Sequence, residues 1–151
     1  MDAVARQTGM SLVEVLVALL VLAVGVLGAA LLQLNALKQT DSALRSTHIR
    51  FIAHDLLERM RANPEGRYAL ASLEQAPNVG NLNSARDQDL FDFADPLRRL
   101  PGINAQASVT LAEGLATLSV SWDDSRAAGD SSQRQTLTLS SAIGPLRRVQ
   151  P

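Results

Sequence analysis

From Val15 to Leu37 the chain carries no charged side chain, and that stretch limits the possible folds more than any other. The wider run, Gly9 to Leu37, reads GMSLVEVLVALLVLAVGVLGAALLQLNAL. At about 1.5 Å of rise per residue, a helix of this length crosses the roughly 30 Å of a bilayer's hydrocarbon. One carboxylate, Glu14, stands at its N-terminal edge. Placing a carboxylate at a helix centre costs about 2.5–3.5 kcal/mol on insertion scales, and less near the interface. An ionisable residue in such a span is a functional candidate; the plainer reading is an interfacial Glu on a signal anchor.

The surroundings of Glu14 narrow the choice. Gly9 is followed by Met10, Glu14 is fifth counted from Met10, and only MDAVARQT precedes the glycine. This arrangement resembles the class III signal of type IV prepilins and type II secretion pseudopilins. The resemblance implies that a prepilin peptidase cuts between Gly9 and Met10 and that Met10 is then N-methylated. It further implies that Glu14 is the subunit-assembly carboxylate, facing the amine of a neighbouring subunit in the fibre. A secretory peptide would instead place a small-residue cleavage site after the apolar region. Charge counting does not orient the helix, since Arg6 and the amino terminus flank one end and Lys38 and Arg45 the other. A cytoplasmic N-terminus and a periplasmic C-terminus follow from the resemblance.

The 151 residues suffice for one modest domain, and a membrane helix leaves fewer than about 120 of them for a soluble core. The net charge of −1 gives no basic excess to hold a nucleic acid, and it survives cleavage because Asp2 and Arg6 cancel. There is no cysteine. Exported chains of this size often use a disulfide, and many pilins close a C-terminal loop with one, so this soluble part must rely on packing and neighbours.

Past Leu37 the helical period continues but becomes amphipathic. Leu44, Ile49, Phe51, Ile52, Leu56 and Met60 are expected on one stripe, with Lys38, Asp41, Arg45, Arg50, Glu58 and Arg61 on polar faces. No proline interrupts from Met10 to Asn63, and Asn63-Pro64-Glu65-Gly66 ends the pattern. One helix of about fifty residues is expected. From Tyr68 to Pro101 the sequence reads as irregular, with a loop over residues 76–83 and one or two helical turns from Asp95 to Gly102. Asp87, Asp89, Asp92 and Asp95 fit either a solvated acidic helix or a cation site, though EF-hand spacing is missing.

The last third alternates with period two over residues 106–111, 116–122 and 135–141. Val109, Leu111, Leu118, Val120, Trp122, Leu137 and Leu139 are expected on one face of an antiparallel meander, and Ser and Thr on the other. Glu113-Gly114 forms a tight first connection, and residues 123–134 a longer second one. Trp122 is read as a core anchor. The greasy face is expected to lie on the stripe of the helix.

The fold class expected is therefore α+β and type IV pilin-like, a long N-terminal helix packed on a small antiparallel sheet. It divides into a leader (1–9), a transmembrane and polymerisation half-helix (10–37), a periplasmic half-helix (38–62) and a small globular domain (63–151). Residues 55–64 (DLLERMRANP), 100–102 (LPG) and 120–124 (VSWDD) resemble the PilV-type minor pilins, the type IV pilus modification proteins. That resemblance implies a minor pilin incorporated into or priming a type IV pilus. A minor pseudopilin of a type II secretion system would share the same N-terminus, and a signal-anchored periplasmic domain that never polymerises is the alternative of another class. The partners implied are prepilin peptidase, major and other minor pilins, the inner-membrane assembly platform, and membrane lipid before assembly. No enzyme is expected: there is no cysteine, no G-x-S-x-G and no phosphate-cradling glycine loop. His48 and His54, six apart, fall on different helix faces, unlike an i, i+4 metal pair. No cofactor, metal or small-molecule substrate is expected. Arg98-Arg99 and Arg147-Arg148 lack the interleaved aromatics of a nucleic-acid surface.

Overall fold

A computed structural model describes residues 11–102, 104–125 and 133–144 of the chain. Its first element, helix α1 (Leu12–Ala62), runs for 51 residues. It passes Gly25 and Gly28 without interruption, and a Cβ at either would meet nothing within 4 Å. Asn63, which donates its backbone N–H to the Arg59 carbonyl at 3.0 Å, closes the helix ahead of Pro64. The expected fifty-residue helix is borne out.

Contacts divide the chain between Gln39 and Thr40. In the first unit, the helical residues 12–39 are exposed throughout. In the second, α1 from Thr40 to Ala62 packs with a 3-10 turn (Leu73–Gln75), helix α2 (Ala85–Arg99) and strands β1 (Gln106–Ala112), β2 (Leu115–Asp123) and β3 (Arg134–Ala142). The sheet order is β1-β2-β3, antiparallel throughout.

The strands follow the period-two pattern. Val109, Leu118 and Leu139 stand in one cross-strand row, and Val120 faces Leu137 in the next. Ala107, Val109, Ala116, Leu118, Val120 and Trp122 are buried, with Leu137 and Leu139 partly so. Leu111 shares their face by register but lies at the sheet's end, 36% exposed. The β1–β2 connection has Glu113 at φ 52° and Gly114 at φ 79°, two left-handed residues between the paired Ala112 and Leu115. This two-residue turn has the sign of twist that antiparallel strands need. Trp122 anchors the core as expected, although its indole N–H is buried without an acceptor among the described residues.

The helix offers the sheet a narrower stripe than its apolar residues suggest. Ile49, Ala53, Leu56, Leu57 and Met60 are buried, spaced at i, i+4, i+7, i+8 and i+11, with Ile52 at the border. Leu44 and Phe51, expected on that stripe, are 66% and 78% exposed. Phe51 lies two residues from Ile49, about 200° around the helix, so it cannot share its face.

The middle of the chain departs most from expectation. Instead of an irregular stretch ending in a turn or two, α2 runs fifteen residues and carries Pro96 inside it. Ser84 caps it, its hydroxyl accepting from the Asp87 N–H at 3.3 Å. Leu90, Phe93, Ala94 and Leu97 form its buried face. Pro96 lacks the N–H that would bond four residues back, at a cost of about 3 kcal/mol in a helix interior. Burying each of Leu90, Phe93 and Leu97 contributes about 1.5–3 kcal/mol, which outweighs it. Two long-range bonds close the unit: the Ser42 hydroxyl donates to Asp124 Oδ2 at 2.6 Å, and Arg61 Nε donates to Ser141 Oγ at 2.9 Å.

Candidate functional site

The strongest candidate is the N-terminal stretch of α1. Ser11 precedes the helix, and its carbonyl accepts from the N–H groups of Glu14 at 2.9 Å and Val15 at 3.3 Å. Glu14 thus sits in the first turn, exposed, where the positive end of the helix dipole favours a carboxylate by about 0.3–1 kcal/mol. The Ser11-x-x-Glu14 spacing is also that of a capping box, a signal the sequence reading overlooked. Among the described residues no cation pairs with Glu14. Gly9 and Met10, the expected cleavage pair, lie outside the described residues.

Behind Glu14, the helix presents leucine, valine and alanine on every side. Its most apolar window has a mean hydropathy of 3.0 and no buried residue, long and apolar enough to cross a membrane. A helix greasy all round has only two stable surroundings, lipid or other protein. The chemistry on offer is association, with one carboxylate at the rim.

The aspartates of the acidic run and Arg98 are engaged in holding the second unit together. Each aspartate of the acidic run has an arginine. Asp89 and Asp92 both accept from Arg59 Nη1, at 3.1 and 2.9 Å, while Arg59 Nε reaches Asp55 at 2.9 Å. Asp87 pairs with Arg86 at 2.7 Å and Asp95 with Arg99 at 2.9 Å. The Arg59 guanidinium is held above its usual range chiefly by its bond to Asp89, against the opposing effect of burial. The Tyr68 hydroxyl donates to Asp89 Oδ2 at 2.6 Å and accepts from Asn63 Nδ2 at 3.1 Å. Burial, and then the bond to Asp89, push its pKa up. Asp87, beside Arg86 and the Ser84 hydroxyl, is held below the usual carboxylate range. This network pins the end of α1 and the Tyr68 segment to α2.

Arg98 faces the protein rather than solvent. Its guanidinium donates to the carbonyls of Leu73, Ala76 and Pro77 at 2.8, 2.8 and 3.0 Å, closing the 3-10 turn. Arg147 and Arg148 lie outside the described residues. His48 and His54 are both exposed on α1. An open groove of about 750 Å³ runs beside β1, with Ser72, Glu74, Arg99, Gln106 and Ser121 among its walls. Among the described residues, it brings no histidine to those hydroxyls.

The N-terminal stretch is therefore where comparison with known proteins bears on function. Residues 4–30 match the Prokaryotic N-terminal methylation motif. That motif supports a type IV pilin-like or pseudopilin chain. It implies processing by a prepilin peptidase and assembly with other pilins, and with the apolar helix it points to membrane anchoring. The helix-on-sheet fold is pilin-like as well. No curated protein and no solved structure matches the chain.

Proposed function

We propose that this chain is a minor pilin of the PilV type, cut between Gly9 and Met10, N-methylated on Met10 and drawn from the inner membrane into a type IV pilus. The observation that carries the reading is the pairing of Glu14 with a fully exposed, uncharged helix surface, inside the stretch that matches the methylation motif. Before assembly, lipid covers that surface, with the N-terminus cytoplasmic and the C-terminus periplasmic. In the fibre, the helices of major and other minor pilins replace the lipid. Cleavage creates an amine at Met10, methylation leaves its charge, and Glu14 of a neighbour neutralises it in a medium of low dielectric.

The energetics separate this role from plain anchoring. Removing the carboxylate eases insertion by about 2.5 kcal/mol or less at this depth, so an anchor tolerates Glu14→Val. Breaking a buried pair in a fibre costs about 3–5 kcal/mol. In cells lacking the native copy, Glu14→Val is expected to be membrane-inserted and stable but absent from sheared fibres. The wild-type subunit in those fibres should have the intact mass of a chain starting at Met10 with one added methyl. Equal incorporation of the variant would favour the non-polymerising anchored domain. Recovery with a type II secretion apparatus instead of pili would make the chain a pseudopilin.

A further inference from the structure

The open groove beside β1 holds a piece of strand edge that the described chain leaves uncovered. Val109 donates its N–H to the Leu70 carbonyl at 2.8 Å and accepts from the Leu70 N–H at 3.0 Å. Odd-numbered residues of β1 therefore turn their amides and carbonyls away from β2, since both groups of an antiparallel strand residue point the same way. The register is unbroken from Gln106 to Ala112, so Ala107 does likewise, on the wall of the groove. Neither its N–H nor its C=O has a hydrogen-bond partner among the described residues. Ala107 is only 4% exposed, and backbone groups so buried are nearly always paired. The segment that covers Val109 does not go on to cover Ala107. Ser72, next in line to face it, gives its carbonyl to the Gln75 N–H at 3.1 Å instead. Arg98 fixes that departure through the carbonyls of Leu73, Ala76 and Pro77, so the gap is held open.

One N–H and one C=O on a single strand residue are what an extended main chain running antiparallel to β1 satisfies, as Leu70 does at Val109. The groove suits such a segment, because Ser72, Ser108, Ser119 and Ser121 are short and leave its side chains room. Arg99 is already paired with Asp95, whereas Glu74 has no ion-pair partner among the described residues. The charge left over is negative, and a lysine or arginine on the incoming segment complements it. A strand of a second copy does not fit. The bonds from Ser42 to Asp124 and from Arg61 to Ser141 lay the sheet along α1. With the α1 helices of two copies parallel, as one membrane requires, the open β3 edge of one copy runs parallel to β1 of the other. A loop or terminal segment of another subunit lies antiparallel to β1 without turning its own α1 over. Resting on the pilin reading above, we propose that this groove takes an extended, basic segment of a different pilin, which adds to β1 at Ala107 beside Glu74.

The test uses the full chain in its own cells, with the native copy removed and a photo-cross-linking benzoylphenylalanine in place of Ser72. Light is expected to join that position to one other pilin, and mass spectrometry to place the join on a segment bearing a lysine or arginine. Ala107→Pro removes the outward amide, which makes no bond to β2, and should cut the adduct about tenfold. Glu74→Arg, at an exposed position on the 3-10 turn, should do the same by reversing the charge. Melting of the full chain in detergent checks folding, and Glu74→Arg carries the test if Ala107→Pro unfolds the sheet. The adduct is scored in membranes and in sheared fibres alike. No adduct in either would overturn the groove. So would an adduct within the chain, to a second copy or to a protein other than a pilin, or an undiminished yield from a folded variant. A chain that gives the adduct in membranes but never enters fibres would instead overturn the minor-pilin reading alone.

Discussion

Without the Arg59 guanidinium, the carboxylates of Asp55, Asp89 and Asp92 would converge with no cation between them. Tyr68 supplies Asp89 with its remaining donor. A hydrogen bond to a charged group is worth about 1.5–3 kcal/mol, so Tyr68→Phe should cost roughly that at neutral pH. The folded-state pKa of this phenol is raised, so its contribution is complete below the unfolded value of about 10 and falls as pH climbs beyond it. Melting curves of the full chain in detergent micelles at pH 8 and pH 10.5 should therefore differ less for Tyr68→Phe than for wild type. An equal drop in both would remove Tyr68 from the linkage. The long-range part of this network was not legible in the sequence, because Arg59 meets Asp89 and Asp92 across 30 and 33 residues. Glu14 stands out as a candidate because its signal is local: a lone charge a few residues from a glycine, at the head of an uncharged run.

At the scale of elements, periodicity served well where one rule acted alone. The strands, the Glu113-Gly114 turn and the length of α1 follow from alternation, turn chemistry and the lack of proline. It misled where two effects competed. Pro96 reads as a boundary, yet the buried face of α2 overrides it, a balance settled by tertiary packing. Approximate helical spacing likewise put Leu44 and Phe51 on the stripe, whereas the actual geometry of the helix turns them to solvent. Substitution separates the two faces. Leu56→Ala, at a site 1% exposed, should cost about 2–5 kcal/mol, and Phe51→Ala should stay within about 0.5 kcal/mol. Denaturant titration of both variants measures the contrast, and similar losses would mean that the stripe is misassigned.

At the scale of the whole molecule, the division between Gln39 and Thr40 separates a helix exposed along residues 12–39 from a unit that contains all the buried core residues among those described. A chain beginning at Thr40 should be soluble and melt cooperatively, with circular dichroism as the readout. Aggregation or a broad, featureless melt would show that the first unit contributes to folding of the second.

The bond between Arg61 and Ser141 joins residues 80 apart in sequence, and it has a consequence in time. A chain made from its N-terminus extends by about 5–20 residues each second, so some 4–16 seconds separate the appearance of the two partners. A helix forms in about a microsecond and a hairpin in about ten, so both wait on elongation. Until α2 and the first two strands have been made, Ile49, Leu56 and Met60 exist as a greasy seam without the core residues that cover it. The newborn chain is most vulnerable to wrong partners in the early part of that interval, and the bond from Arg61 to Ser141 forms only after most of the cover is available.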